Sequence, residues 1–345
     1  MANLFDFATL IAPFDIWRPY SARLGGGGAP DLGLPNLATT RLELSTMRLL
    51  EGDAAAPDAV FTLIVAPYAV HDATLADFAP GHSLARVLLN EGAGPLALTS
   101  WRSASVEMRD FGVDVYLSDL NVAVDDLGGR VSLVGLCQGG WLAALYAARF
   151  PRKVASLALA GAPLDLRAAE SAITRTLAMT PPAAIAAAIA LSGGRVLGSL
   201  SLAMWMPGMN PEREAVTALQ DEPEAALRAK FETWNAHPFD LPGRYFVETS
   251  EWLFRDNRLA ENRFPALGRC CGLAGIAAPV YVLAARDDTV VAPPQATAAR
   301  SRCVGAQVVV REAPGGHLSL FMGRRTLASF WPEIAHWIVR NRSAG

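Results

Sequence analysis

Val131-Ser132-Leu133-Val134-Gly135-Leu136-Cys137-Gln138-Gly139-Gly140-Trp141-Leu142-Ala143-Ala144-Leu145-Tyr146-Ala147-Ala148 is the stretch that decides how this chain folds. Its first residues form a short apolar run of the kind that becomes a strand covered on both faces. Its last eight are a helical segment. Between them lies Gly-x-Cys-x-Gly, a strand-to-helix turn with glycine two positions to either side of the cysteine. Such a turn holds its central residue in a strained backbone conformation, and side chains two residues away would collide with the adjoining strand and helix. It also sets Cys137 at the start of a helix. There the positive end of the dipole favours a thiolate, and the backbone N–H of Gln138 can face a developing oxyanion.

Further apolar runs stand at 60–65, 96–100, 154–160, 280–285 and 307–313, with helical segments between them. Strands alternating with helices predict the α/β class and a mainly parallel, doubly wound sheet. About 120 residues without a clear strand separate 160 from 280, too many for an ordinary crossover. We therefore expect a mostly helical cap inserted between strands 6 and 7. The domain organisation expected is an N-terminal arm over 1–40, a core of 41–164 and 265–345, and a cap over 165–264. The arm carries Gly25 to Gly28 and is not a phosphate loop, since no Gly-Lys-Ser/Thr follows. Within the cap, 177–209 has a single charge, Arg195. Pro181-Pro182, Gly193-Gly194 and the weakly apolar alanines argue for buried or substrate-facing helices rather than a membrane span.

A cysteine nucleophile in this setting needs an acid after a later strand and a histidine after the last one. The run at 280–285 leads into Arg286-Asp287-Asp288-Thr289-Val290-Val291, and the run at 307–313 into Pro314-Gly315-Gly316-His317. Asp288, preceding Thr-Val-Val, suits the orienting role better than its neighbour Asp287. The expected fold is thus the α/β-hydrolase fold with a Cys137, Asp288, His317 triad, in which the imidazole takes the thiol proton and the acid orients the ring. The second oxyanion donor is expected from the loop after the third strand, from the N–H of Tyr68 or Ala69; Pro67 has none. His71 either lines the site or serves a structural bond to a carbonyl or helix end. His82, His237 and His336 lack metal-ligand spacing, so neither a metal nor a cofactor is expected.

Composition narrows the function. Thirty Lys+Arg against 33 Asp+Glu give a formal net charge of −3, which offers no electrostatic case for nucleic acid or an anionic membrane. Hydrophobic residues make up 52% and charged residues 18%, below the usual figure of about 25%, so the chain is globular and oily. Cys137, Cys270, Cys271 and Cys303 have no CxxC spacing, which fits a reducing compartment. The first residues lack the pattern of a secretory signal, and a cytoplasmic location is expected.

With these residues in hand, the chain resembles the polyhydroxyalkanoate depolymerase and synthase families, which use cysteine on this fold. Leu133 to Gly140 and Pro314-Gly315-Gly316-His317-Leu318 look like the synthase box and its histidine loop. Val65-Ala66-Pro67 with His71 to Leu75, Trp101 with Ala104, and Gly161-Ala162-Pro163-Leu164-Asp165 lean to the intracellular depolymerases. Gly208-Met209-Asn210 with Arg213, and Phe321, Gly323, Arg324 and Arg325 after His317, continue that leaning. Two departures stand out: depolymerases usually have Cys-Gln-Pro where this chain has Cys137-Gln138-Gly139, and synthases usually have histidine where it has Thr289. The resemblance implies hydrolysis of the polyester or its oligomers as first expectation. A synthase-like acyltransferase acting on 3-hydroxyacyl-coenzyme A is the alternative, and a granule-binding protein with a vestigial site the third reading. It also implies a hydrophobic polyester or 3-hydroxyacyl partner, with the polymer granule surface as a further one. Met204, Trp205, Met206 and Met209 would then line an apolar groove or pack within the cap.

Overall fold

The apolar runs pair into one eight-stranded sheet in the computed structural model, whose described residues are 32–52, 59–68, 71–205 and 225–342, with backbone alone for 203–205. Its strands are β1 (Thr39–Glu43), β2 (Met47–Glu51), β3 (Thr62–Val65), β4 (Leu96–Trp101), β5 (Val131–Leu136), β6 (Val154–Ala160), β7 (Val280–Ala285) and β8 (Val308–Ala313). They lie in the order β1-β2-β4-β3-β5-β6-β7-β8. From β4 to β8 every pairing is parallel, while β2 joins β4 and β1 joins β2 antiparallel. Every residue of β3 to β7 is buried, as continuous apolar strands covered on both faces require.

The covering helices follow the same logic. In Val113–Asp126 the buried positions Val113, Tyr116, Leu117, Leu120, Ala123 and Val124 recur three and four apart and form one face against the sheet. Each leucine or valine so buried contributes about 1.5–3 kcal/mol. Helix Gln138–Arg149 buries its first ten residues, because it runs directly beneath later parts of the chain.

Register places the site. Val65 lies opposite Gly135, Leu136 opposite Ala160, and Ala285 opposite Ala313, so β3, β5, β6, β7 and β8 end along one edge. The carboxyl ends of parallel strands, where neighbouring connections diverge, are where open α/β sheets hold ligands.

Two expectations need correction, and a third observation bears on the cap. The arm expected to run to residue 40 already enters β1 at Thr39, and Leu37 before it is fully buried. There Asn36 donates its backbone and side-chain N–H groups to Asp77, each at 2.6 Å. The stretch between β6 and β7 is not free of strands: Arg195–Val196 pairs with Leu241–Pro242, and Phe264–Ala266 with Arg269–Cys271. Finally, its apolar helices are not all covered. In Pro182–Leu191 only Ile185 is buried, and Leu191 is 89% exposed. Alanine supplies helix propensity without demanding burial, so an apolar composition suits an exposed helix as well as a covered one.

No single described helix is long and apolar enough to cross a membrane. Ala172–Met179 and Pro182–Leu191 together have the length and composition, but they meet at 89°. The β6–β7 connection is tied to the sheet by polar contacts. Asp240 accepts from Arg195 and from the backbone of Gly198, and its own N–H donates to Ser103. Glu248 accepts the N–H of Val113 at 2.7 Å and so caps helix Val113–Asp126 from across the fold.

Candidate active site

Cys137 sits between β5 and helix Gln138–Arg149 with φ 49° and ψ −120°, a conformation costly for a residue with a Cβ. The surroundings hold it there. Its N–H donates to the Ala160 carbonyl at 2.8 Å, and its carbonyl accepts from Gly140 at 2.9 Å. The glycines are dictated by packing: a Cβ on Gly135 would lie 2.6 Å from the Gly140 Cα, and one on Gly139 only 2.2 Å from the Val65 oxygen and 2.5 Å from that of Ala66. The end of β3 therefore presses directly on the elbow.

Behind Cys137, the other two predicted residues converge. His317 Nδ1 bonds Asp288 Oδ2 at 2.7 Å, and both side chains are buried. The second carboxylate oxygen, Asp288 Oδ1, accepts the N–H groups of Val290 and Val291, both at 2.9 Å. This explains the Asp-Thr-Val-Val pattern: the turn grips one oxygen and leaves the other for the ring. Asp287 instead faces Gly315 on the exposed side. His317 Nε2 is buried and turned to Cys137, coupled to it electrostatically without a hydrogen bond in the resting geometry. Such bonds commonly tighten only when substrate binds. Burial works against a charged ring, yet Asp288 and the Cys137 sulfur outweigh it and hold the imidazole well above its ordinary pKa.

The N–H of Gln138, first in its helix, has no partner within that helix, and neither it nor the N–H of Tyr68 donates to a described protein group. The loop carrying Tyr68 is fixed at Ala66, whose N–H donates to Thr99 Oγ1 at 3.0 Å and whose carbonyl accepts from Trp101 Nε1 at 2.8 Å. The Tyr68 ring packs among Trp101, Tyr116 and Tyr245, and burial raises its phenol far above the ordinary value. Ala69, Met206 and Met209 lie outside the described residues, as do the side chains of Met204 and Trp205.

His71 takes the structural place of its two expectations: Nε2 pairs with the Asn235 carbonyl at 3.0 Å, and the ring stacks on Trp234 at 4.1 Å. His82 pairs with the Met322 carbonyl and accepts from Arg324, His237 pairs with the Thr233 carbonyl, and His336 meets Glu91 at the surface. Among the described residues no group of three or more His, Cys, Asp or Glu could hold a metal ion.

Beside Gln138 lies a cavity of about 20 Å³, room for roughly one water. Ile173, Thr176, Leu177, Leu241, Phe246, Thr249, Ser250 and Phe254, all from the β6–β7 connection, form the rest of its wall. Thr249–Arg255 is a π-helical turn, a rare form that recurs at functional sites. Sequence reading missed this turn, because a π-helical stretch shares the composition of an α-helix and carries no period of its own.

A profile of the alpha/beta hydrolase fold matches residues 94–323. The chain is similar to the poly(3-hydroxyalkanoate) polymerase subunit PhaC of Haloferax mediterranei, 25% identical over 299 residues, which are 83% of this chain and 59% of that protein. It thus spans less than two thirds of that relative's length. The corresponding subunit of a Synechocystis species is 26% identical over 294 residues, 81% of this chain and 76% of the relative. Among solved structures, a monoacylglycerol lipase of Paleococcus ferrophilus has a TM-score of 0.54 at 15% identity, covering 86% of this chain and 99% of its own. A bacterial membrane phospholipase A has a TM-score of 0.56 at 16% identity, covering 98% and 96%. At these identities the structural likeness bears on the fold alone. Both of these curated relatives are named as polymerase subunits, whereas the first expectation from the sequence patches was hydrolysis.

Proposed function

The chain belongs to the alpha/beta hydrolase fold family, and we propose that it is a cysteine-dependent acyltransferase that builds poly(3-hydroxyalkanoate) from 3-hydroxyacyl-coenzyme A. The observation that carries polymerisation over hydrolysis is the similarity to polymerase subunits. The packing at Gly139 separates this elbow from the depolymerase-type box, which has proline there, because a Cβ would lie 2.2 Å from the Val65 oxygen. Esterases of this fold share the glycine, so the packing bears on the box and not on the reaction.

In this reading the triad works as follows. His317 Nε2 takes the thiol proton of Cys137 while Asp288 stabilises the imidazolium. The thiolate attacks the thioester carbonyl, and the N–H groups of Gln138 and of Tyr68 receive the oxyanion. The bond to the coenzyme sulfur breaks, the leaving thiolate takes the proton back from His317, and the acyl group stays on Cys137 as a thioester. A hydroxyl of another acyl unit then gives its proton to His317 and attacks. The Cys137 thioester bond breaks, a chain ester forms, and His317 returns the proton to sulfur. The lengthened chain, still a coenzyme A thioester, then acylates Cys137 again with loss of the coenzyme, as the monomer did. Water is the competing acceptor, and which of the two reaches the Cys137 thioester decides between polymerisation and hydrolysis.

The test is incubation with 3-hydroxybutyryl-coenzyme A and, separately, with amorphous polyhydroxybutyrate, with Cys137→Ala as control. Coenzyme A release with polymer growth is expected. Release of 3-hydroxybutyrate from polymer without polymer growth from the thioester would replace this reading with hydrolysis. Polymer binding with no turnover in either arm would replace it with the granule-binding reading.

A further inference from the structure

The cavity beside the elbow contains polar groups that the mechanism above leaves unused. Gln138 enters that mechanism only through its backbone N–H, yet the residue belongs to the cavity wall and is 5% exposed. Its Oε1 is buried without a hydrogen-bond partner among the described residues. Ser250, across the cavity on the π-helical turn, is buried and makes no side-chain hydrogen bond among the described residues. The other two hydroxyls of the wall are spent on backbone: Thr176 donates to the Ala172 carbonyl, and Thr249 to those of Tyr245 and Phe246. An orphaned buried acceptor is destabilising unless something satisfies it when the site is in use.

The shape of the vacancy says what would do so. The remaining walls, Ile173, Leu177, Leu241, Phe246 and Phe254, are apolar, and the space admits about one oxygen-sized group. A single hydroxyl borne on an apolar substituent matches this when only the hydroxyl enters the space: its O–H donates to Gln138 Oε1 and its oxygen accepts from Ser250. A 3-hydroxyacyl thioester carries such a hydroxyl. An interior unit of a finished polyester does not, because its oxygen is already esterified.

We infer that Gln138 and Ser250 form the pocket that reads the 3-hydroxyl of the incoming acyl thioester, so that the residue next to the nucleophile supplies oxyanion stabilisation from its backbone and substrate selection from its side chain. This rests on the acyltransferase reading given above. Gln138 and Ser250 are here specificity-determining residues, and their signature is a changed ratio between two substrates, over and above any change in rate common to both.

The experiment compares 3-hydroxybutyryl-coenzyme A with butyryl-coenzyme A, following thiol release under single-turnover conditions for the wild type, Gln138→Met and Ser250→Ala. Methionine keeps the backbone N–H and roughly the volume while removing the carboxamide. The wild type should prefer the hydroxylated substrate by about tenfold or more, the scale of one well-made hydrogen bond. Gln138→Met should bring the ratio close to one, and Ser250→Ala should lower it by part of that amount. Should Gln138→Met fail to fold, the ratio in Ser250→Ala decides. A wild-type ratio near one, or a ratio unmoved in the variants, overturns the assignment and leaves the acyltransferase reading standing. No thiol release from either substrate by the folded wild type overturns the acyltransferase reading itself, and the pocket assignment falls with it.

Discussion

Gly139→Ala is the substitution through which packing at the elbow is most open to measurement. The added Cβ would sit 2.2 Å from the Val65 oxygen and 2.5 Å from the Ala66 oxygen, about 1 Å inside ordinary contact. Neither atom belongs to a flexible side chain. Val65 ends β3, which is hydrogen-bonded in parallel to β4 on one side and β5 on the other, so the strand cannot retreat without breaking its ladder. Overpacking of this kind costs about 1–3 kcal/mol, and a clash with fixed backbone belongs at the upper end, about 3 kcal/mol. Any relief that pushes the end of β3 away also moves the loop bearing Tyr68, one of the two proposed oxyanion donors. Losing one such donor lowers the rate by about 10²–10³-fold. Urea unfolding gives the stability, and thiol release from 3-hydroxybutyryl-coenzyme A gives the rate. Gly275→Ala is the control, since its Cβ would meet nothing nearer than 3.6 Å and should stay within about 0.5 kcal/mol of the parent. A Gly139→Ala protein as stable as that control and acylated at the parental rate would refute the packing argument.

The carboxylate assignment predicts that Asp288→Asn slows Cys137 acylation by about 10²–10⁴-fold while Asp287→Asn changes it only a few-fold; stopped-flow thiol release measures both, and the reverse order would move the role to Asp287. His317, held above its ordinary pKa in the folded protein, stabilises the fold fully below about pH 6.5 and loses that contribution as pH rises through its folded value. The stability difference between the wild type and Asp288→Asn should therefore shrink as pH is raised, and a difference independent of pH would contradict the coupling. Glu248→Ala removes the carboxylate that caps helix Val113–Asp126 and should cost about 1–2 kcal/mol in urea unfolding, with no change below about 0.5 kcal/mol if the cap is idle.

How far the sequence foretold this structure depends on burial. The core strands stood out because a strand covered on both faces must be predominantly apolar, as β4 to β7 are, with Thr99, Ser100, Ser132 and Ser156 their only hydroxyl-bearing aliphatic members. β1 was invisible for the opposite reason. Its Thr-Thr-Arg-Leu-Glu run is largely exposed on the sheet edge and carries no alternation to read. The Phe264–Ala266 and Arg269–Cys271 ribbon turns through Leu267 and Gly268, both at positive φ, and leucine there gives no turn signal. Cys137, Asp288 and His317 could be picked out as candidates because strand ends fix the chain order of such groups. What stayed hidden was the other half of each interaction. The two valine amides behind Asp288, the bare Oε1 of Gln138 and Ser250 on its π-helical turn depend on contacts between distant segments.

The measurement that bears most directly on the account is the mass of the protein caught during turnover. After rapid mixing with 3-hydroxybutyryl-coenzyme A and acid quench, peptide mass spectrometry should find a 3-hydroxybutyryl unit on Cys137, followed at longer times by Cys137 peptides carrying two or more units. The adduct should be absent from Cys137→Ala. A protein that releases coenzyme A while Cys137 stays unmodified, or that carries its acyl group on another residue, would contradict the account.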